Sequence, residues 1–156
     1  AGAQYIQIDE PAISTRLDEI DLAIEALGIV TKGLNAKTIT HICYGNFKAL
    51  APKLMKLPVD QIDLEFANRD FELLETFKRM RFTKEVGLGV VDVHDYRIET
   101  IDEVIANLKR SLKVFKPEQI YVDPDCGLKT RSPEEAIQKL KVVVEATKAV
   151  REELLN

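Results

Sequence analysis

Most of the common binding signatures are missing from this sequence. Its formal charge of -4 and pI near 5.3 leave no basic surplus to attract nucleic acid or an anionic membrane. No apolar run approaches the roughly 18 residues of a membrane span, and no signal-peptide pattern opens the chain, so the cytoplasm is the expected address. Only two cysteines occur, Cys43 and Cys126, too few for a disulfide framework. In a reducing compartment such residues serve metal binding or catalysis more readily than cross-linking. Cys-x-x-Cys is also lacking, and with it the close cysteine pairs of a structural zinc ribbon. Neither a GxGxxG after the first strand nor a P-loop occurs, so nucleotide binding lacks its phosphate cradle. There is no internal repeat, no low-complexity stretch and no linker.

What the sequence does hold is a regular alternation. Strand-like runs rich in β-branched residues fall at 5–9, 38–44, 61–66, 85–93 and 119–123. Between them lie helical patterns: Leu17, Ile20, Ala23, Ile24 and Leu27 on one stripe closing near Gly28 or Gly33, then 47–55, then 71–80. Thr100-Ile101-Asp102-Glu103 reads as a capping box for a helix to about 115. Ser132-Pro133-Glu134-Glu135 combines an N-cap, a proline at N1 and a glutamate at N3, for a last helix to about 152. Such alternation predicts an α/β fold with a parallel sheet, and the length suits one domain. The continuous apolar run 85–93 suits a strand buried on both faces. Its glycines, Gly87 and Gly89, admit either close approach of a neighbour or ligand, or relief of crowding in a barrel.

The ends of these strands hold the chemistry. They read Ile8-Asp9, His41-Ile42-Cys43, Leu64-Glu65, Asp92-Val93-His94 and Asp123-Pro124-Asp125-Cys126, and they include both cysteines and both histidines of the chain. In a parallel barrel such ends share the face where catalytic groups collect. His41 and Cys43, two apart on a strand, point the same way and form a typical zinc pair. Alone the pair is a weak signal, since His-x-Cys also arises in core strands. Glu65 also suits a salt bridge, and Cys126 a small buried site. Their joint position at strand ends is what suggests one catalytic ion.

These residues resemble a known family. Ile6-Gln7-Ile8-Asp9-Glu10-Pro11-Ala12, His41-Ile42-Cys43-Tyr44, Glu65, Asp92-Val93-His94 and Asp123-Pro124-Asp125-Cys126-Gly127-Leu128-Lys129-Thr130-Arg131 follow one another as in the catalytic domain of cobalamin-independent methionine synthase. The resemblance implies that residues 1–156 are the C-terminal part of a (β/α)8 TIM barrel, with the earlier strands absent. It implies Zn2+ held by His41, Cys43, Glu65 and Cys126, with homocysteine bound as thiolate and its amino group held by Asp9. His94 would then be the acid that helps the methyl donor leave. That donor would be methyl-folate or a methylcorrinoid protein, the latter suggested by a compact, archaeal-type chain. Glu65, as a carboxylate, is the ligand expected to loosen when substrate arrives. Lys129 and Arg131 suit either solvent or an anionic tail of the donor, and Asp123 and Asp125 suit loop ordering or support of the ligands. The chain begins without Met inside its first strand, and a barrel typically needs about 250 residues. The fragment by itself is therefore expected to be inactive, and to associate with a missing half or with itself. Two other functions share these features: a corrinoid-dependent methyltransferase acting on another thiol, and a zinc-binding half-barrel without turnover.

Overall fold

The computed structural model describes every residue except Ala1, Tyr44 and Asn46, and of Lys48 the backbone alone. Five strands, β1 (Tyr5–Gln7), β2 (Lys37–Ile42), β3 (Gln61–Leu64), β4 (Glu85–Gly89) and β5 (Ile120–Asp123), form one sheet in sequential order with every neighbouring pair parallel. Among the described residues five α-helices accompany them: α1 (Ile20–Thr31), α2 (Phe47–Leu54), α3 (Leu73–Met80), α4 (Ile101–Ser111) and α5 (Pro133–Leu155). The α/β alternation expected from the sequence is the one adopted, and sequential parallel order is that of a (β/α) barrel wall. Among the described residues no helix is long and apolar enough to cross a membrane.

Both predicted capping boxes form. Thr100 Oγ1 accepts the Glu103 amide at 3.2 Å while Glu103 Oε2 accepts the Thr100 amide at 2.7 Å. Ser132 and Glu135 repeat the exchange at the start of α5. Other boundaries shift for local reasons. The end of the expected strand 38–44 at Tyr44 lies outside the described residues. The third helix begins at Leu73 rather than 71, because Asp70 (φ 46°) and Phe71 (φ 57°) take left-handed backbone. That conformation costs a non-glycine residue roughly 1–2 kcal/mol. Arg110 offsets it by donating to the Asp70 carbonyl at 3.2 Å and lying over the Phe71 ring at 5.6 Å. The run 85–93 leaves the regular ladder after Gly89, although Val90 still donates to the Asp123 carbonyl and Val91 still accepts from Asp125.

Alternate strand residues enter one apolar core with side chains from all five helices. Ile42, Ile62, Leu64, Val86 and Leu88 are buried together with Leu27, Leu54, Phe77, Leu108 and Val143. Phe66, Phe77, Phe82 and Phe115 pack ring on ring at its centre, with centroids as close as 4.8 Å. The residues between these strand positions face the other way and, apart from Ile39 and the glycines of β4, many of them are polar. Lys37 bonds Glu85 at 2.7 Å and the Tyr121 hydroxyl at 2.8 Å, and Gln61 donates to Asp63 at 2.7 Å. Above them sit Asp63, which is buried, and Asp123, which is half-buried.

The two glycines of β4 make room for these acids. A β-carbon on Gly87 would meet the Asp63 carboxylate, with Asp63 Cβ at 2.7 Å, and the two residues are register partners across β3 and β4. A β-carbon on Gly89 would collide with Asp125 Oδ1 and lie 2.7 Å from the Asp125 Cα. Of the readings the sequence left open, close approach of a neighbour is therefore the observed one. Burial first, then the charges of Asp63 and Asp125, push the Asp123 carboxyl well above its ordinary 3.8. Burial raises Asp63 likewise.

Two outcomes follow. Gly89→Ala is expected to lower the urea unfolding free energy by about 1–3 kcal/mol, as overpacking does, because backbone rather than a flexible tip must yield. Gly127→Ala, where an added β-carbon meets nothing within 4 Å, should stay within about 0.5 kcal/mol. The second outcome concerns pH. Folded Asp123 keeps its proton where the unfolded residue, with its ordinary value of 3.8, has lost it, so folding takes up a proton in between. The associated stability is complete below about 3.8 and is lost as pH rises through the folded value. Unfolding titrations of the metal-free chain from pH 5 to 8 should show a shallower loss of stability in Asp123→Asn than in the unchanged chain.

Candidate metal centre

Three side chains converge at the C-terminal ends of β2 and β5. His41 and Cys43 stand two apart and share a face, and Cys126 comes from the loop after β5. One ligand atom from each lies within 4.8 Å of the other two, and both cysteines are free thiols. The Nε2 atom of His41 is buried without a hydrogen-bond partner. Buried polar side-chain atoms are nearly always partnered, so an unpartnered imidazole nitrogen on a residue grouped with two thiols is a candidate metal ligand. Burial pushes the Cys43 thiol up to about 11, with the negative charges of Cys126 and Glu65 acting in the same direction. Without a cation the thiol holds its proton at neutral pH. A bound cation reverses that balance.

The backbone fixes Cys43 locally. Ser14, buried at the end of a 3-10 turn (Pro11–Ser14), donates to the Cys43 carbonyl at 2.9 Å. Gly45 takes a φ of +109°, and a β-carbon there would lie 2.6 Å from Ser14. Only glycine supplies both the backbone angle and the room.

Glu65 is wholly buried next to this group, although it is not among the atoms that lie mutually within 4.8 Å. Its Oε2 accepts from Asn68 Nδ2 at 2.9 Å, and its Oε1 lies 4.0 Å from His94 Nε2. Asn68 is itself held by Asp125, whose carboxylate accepts the backbone N–H groups of Phe66 and Ala67 at 2.9 Å and of Asn68 at 2.7 Å. Asp125 thus caps the turn after β3 from a distant loop, one residue before Cys126. Burial pushes its carboxyl up to about 7 against the pull of those three donors.

Asp9 is exposed just past β1, where it accepts from Gln7 Nε2 at 2.8 Å. The next residue, Glu10, donates its amide to the His41 carbonyl at 3.2 Å, which sets Asp9 on the same rim. Its charge reaches Asp63 on the inner face. His94 lies in the loop after β4; its backbone N–H donates to Asp92 Oδ1 at 2.8 Å, and its imidazole turns toward Glu65. The structure therefore brings His41, Cys43 and Cys126 together, sets Glu65 and His94 against each other beside them, and leaves Asp9 on the rim. Lys129 is exposed, while the Arg131 guanidinium stacks 3.9 Å over the Tyr96 ring, joining the loops of Cys126 and His94.

Sequence reasoning missed Asn68, the Tyr96–Arg131 contact and the buried pair of Glu99 with Lys139. One of these had a readable signal. Lys139 occupies the apolar stripe that Val143, Ala146 and Val150 continue along α5, and a lysine there calls for a buried partner.

The family described as the catalytic domain of cobalamin-independent synthase matches residues 1–149. The methionine synthase of Sulfurisphaera tokodaii is 51% identical over 156 residues, taking in 100% of this chain and 46% of that protein. That of Saccharolobus islandicus is 49% identical over 154 residues, or 99% of this chain and 46% of that protein. A solved B12-independent methionine synthase from Shewanella sp. W3-18-1, in complex with selenomethionine, superposes with a TM-score of 0.90 at 32% identity, over 99% of this chain and 50% of that one. The chain spans about half the length of the relatives it matches. With its sheet, its strand-end cluster and these relatives in agreement, the chain belongs to the cobalamin-independent methionine synthase family, within its catalytic domain.

Proposed function

We propose that residues 1–156, as the C-terminal part of a (β/α)8 barrel, carry the zinc site and the acid of a homocysteine methyltransferase of methionine biosynthesis. The observation that carries this reading is the His41, Cys43 and Cys126 cluster with its orphan imidazole nitrogen. Imidazole and thiolate donors suit Zn2+, which favours four ligands, and buried Glu65, whose charge acts on Cys43, is the candidate for the fourth. Zinc bound there supplies the Lewis acidity that keeps a substrate thiol deprotonated at neutral pH.

The chain's own residues do the rest. Cys43, Cys126 and Glu65 set three negative charges against the two of the cation, so a thiol held beside them stays electron-rich and nucleophilic. Asn68 and Asp125 hold Glu65 in place through hydrogen bonds that leave its other oxygen directed at His94. Asp9, exposed on the rim and acidic, takes the amino group of homocysteine. His94 gives a proton to the departing nitrogen of a methyl-folate, for which an imidazole is well suited near neutral pH. It stands partly exposed beside the half-buried cluster, where a donor arriving from solvent can meet it. A methylcorrinoid donor would use the same thiol and make no demand on that proton.

Metal analysis of the purified chain tests the ligand set: about one zinc per chain is expected, lost in His41→Asn, Cys43→Ser and Cys126→Ser alike. A folded chain that takes up no zinc, or that keeps it in both cysteine variants, would contradict the assignment. In a protein where this chain is complemented to the family's full length, His94→Gln is expected to keep its zinc. Methionine formation from homocysteine and methyl-folate should then fall by about 10²–10⁴, the usual contribution of a general acid. Methylcobalamin supplied in parallel should show no comparable loss. Equal effects on both donors would remove His94 from the proton transfer.

A further inference from the structure

The loop that carries His94 is anchored through a side chain on the last helix. Lys139 of α5 is fully buried, and Glu99, at the end of that loop, is 9% exposed. Lys139 Nζ donates to Glu99 Oε2 at 2.9 Å and to the Arg97 carbonyl at 2.6 Å. The other oxygen of Glu99 accepts the backbone N–H of Asp92 at 2.9 Å. Asp92 in turn accepts the backbone N–H of His94 at 2.8 Å. An unbroken set of hydrogen bonds thus runs from α5 through Glu99 and Asp92 to the residue whose Nε2 stands 4.0 Å from Glu65.

We infer that Lys139 is a positioning residue for His94, with Glu99 as the strut through which it acts. A buried lysine and glutamate are costly to hold, and well-packed apolar residues often serve stability equally well. The pair here does what apolar residues cannot. Lys139 satisfies two acceptors at once, and Glu99 divides its oxygens between helix and loop, so both ends of the segment 92–97 are tied to a rigid element. Residues held on helices through such bonds keep functional groups in narrower geometry than a loop does unaided. Charged hydrogen bonds inside a protein are also strong enough to set one conformation against many. The inference rests on the placement of His94 in the proposed site, and its test separates the two.

The test uses the zinc-loaded chain, which has only two histidines, so both imidazoles can be followed by nitrogen NMR. In Lys139→Met the His94 imidazole signals should shift or split while those of His41 stay. Amide exchange of Asp92 and His94 should quicken by about tenfold or more, with the amides of β2 and β3 and the zinc content unchanged. Should the lone buried Glu99 prevent folding, Lys139→Met with Glu99→Gln removes both charges, keeps an acceptor for Asp92, and is read by the same criteria. Unchanged His94 signals and exchange rates would overturn the inference, as would acceleration spread evenly over the strands. Absence of zinc from the unchanged chain would count against the metal assignment, while the exchange rates would still decide the role of Lys139.

Discussion

The carboxylate of Asp125 is the contact on which the arrangement of the site depends. It is buried, it accepts three successive backbone N–H groups from the turn after β3, and it precedes Cys126. Through those bonds the last strand of the sheet dictates the conformation of a loop two strands away. Asn68 emerges from that loop to hold Glu65, and Glu65 faces His94. The price of this placement is a glycine at position 89, since any larger residue would occupy the space of the Asp125 carboxylate. Remote as they are in sequence, Gly89, Asp125, Asn68 and Glu65 therefore form one mechanical unit.

Electrostatics gives the unit its purpose. Asp63, Asp123, Asp125 and Glu65 crowd one face of the sheet, with two thiols above them, and the first three are displaced upward by burial. Lys37, on the same face, already bonds Glu85 and Tyr121. Water cannot compensate these groups fully, because Asp63, Asp125 and Glu65 are buried. A divalent cation held by His41, Cys43 and Cys126 would offset this crowding, a reading that the unpartnered Nε2 of His41 supports. Bound there, a cation would favour the thiolate of Cys43, which burial otherwise keeps protonated.

Much of this was legible in the sequence. Alternating strand and helix patterns gave the α/β fold, and the capping residues Thr100 and Ser132 gave two helix starts correctly. Period-two geometry in His41-Ile42-Cys43 was enough to bring two of the cluster residues together. What could not be read were the features that depend on long-range packing. Asp70 and Phe71 interrupt the third helix because Arg110, forty residues on, holds them in left-handed backbone. Gly87 and Gly89 carried two meanings until the carboxylates over them were seen. Glu99 and Lys139 lie forty residues apart and meet only once α5 packs against α4.

In the proposed centre one zinc ion is bound jointly by the His41 imidazole, the Cys43 and Cys126 thiolates and the Glu65 carboxylate. Zinc-edge X-ray absorption of the metal-loaded chain tests it most directly, because sulfur and lighter donors are distinguished in the first shell. Two sulfur and two nitrogen or oxygen donors are expected on each ion. A first shell made only of nitrogen and oxygen would show the metal to be held elsewhere, and one made only of sulfur would show chains sharing cysteines. Either result would contradict the site described.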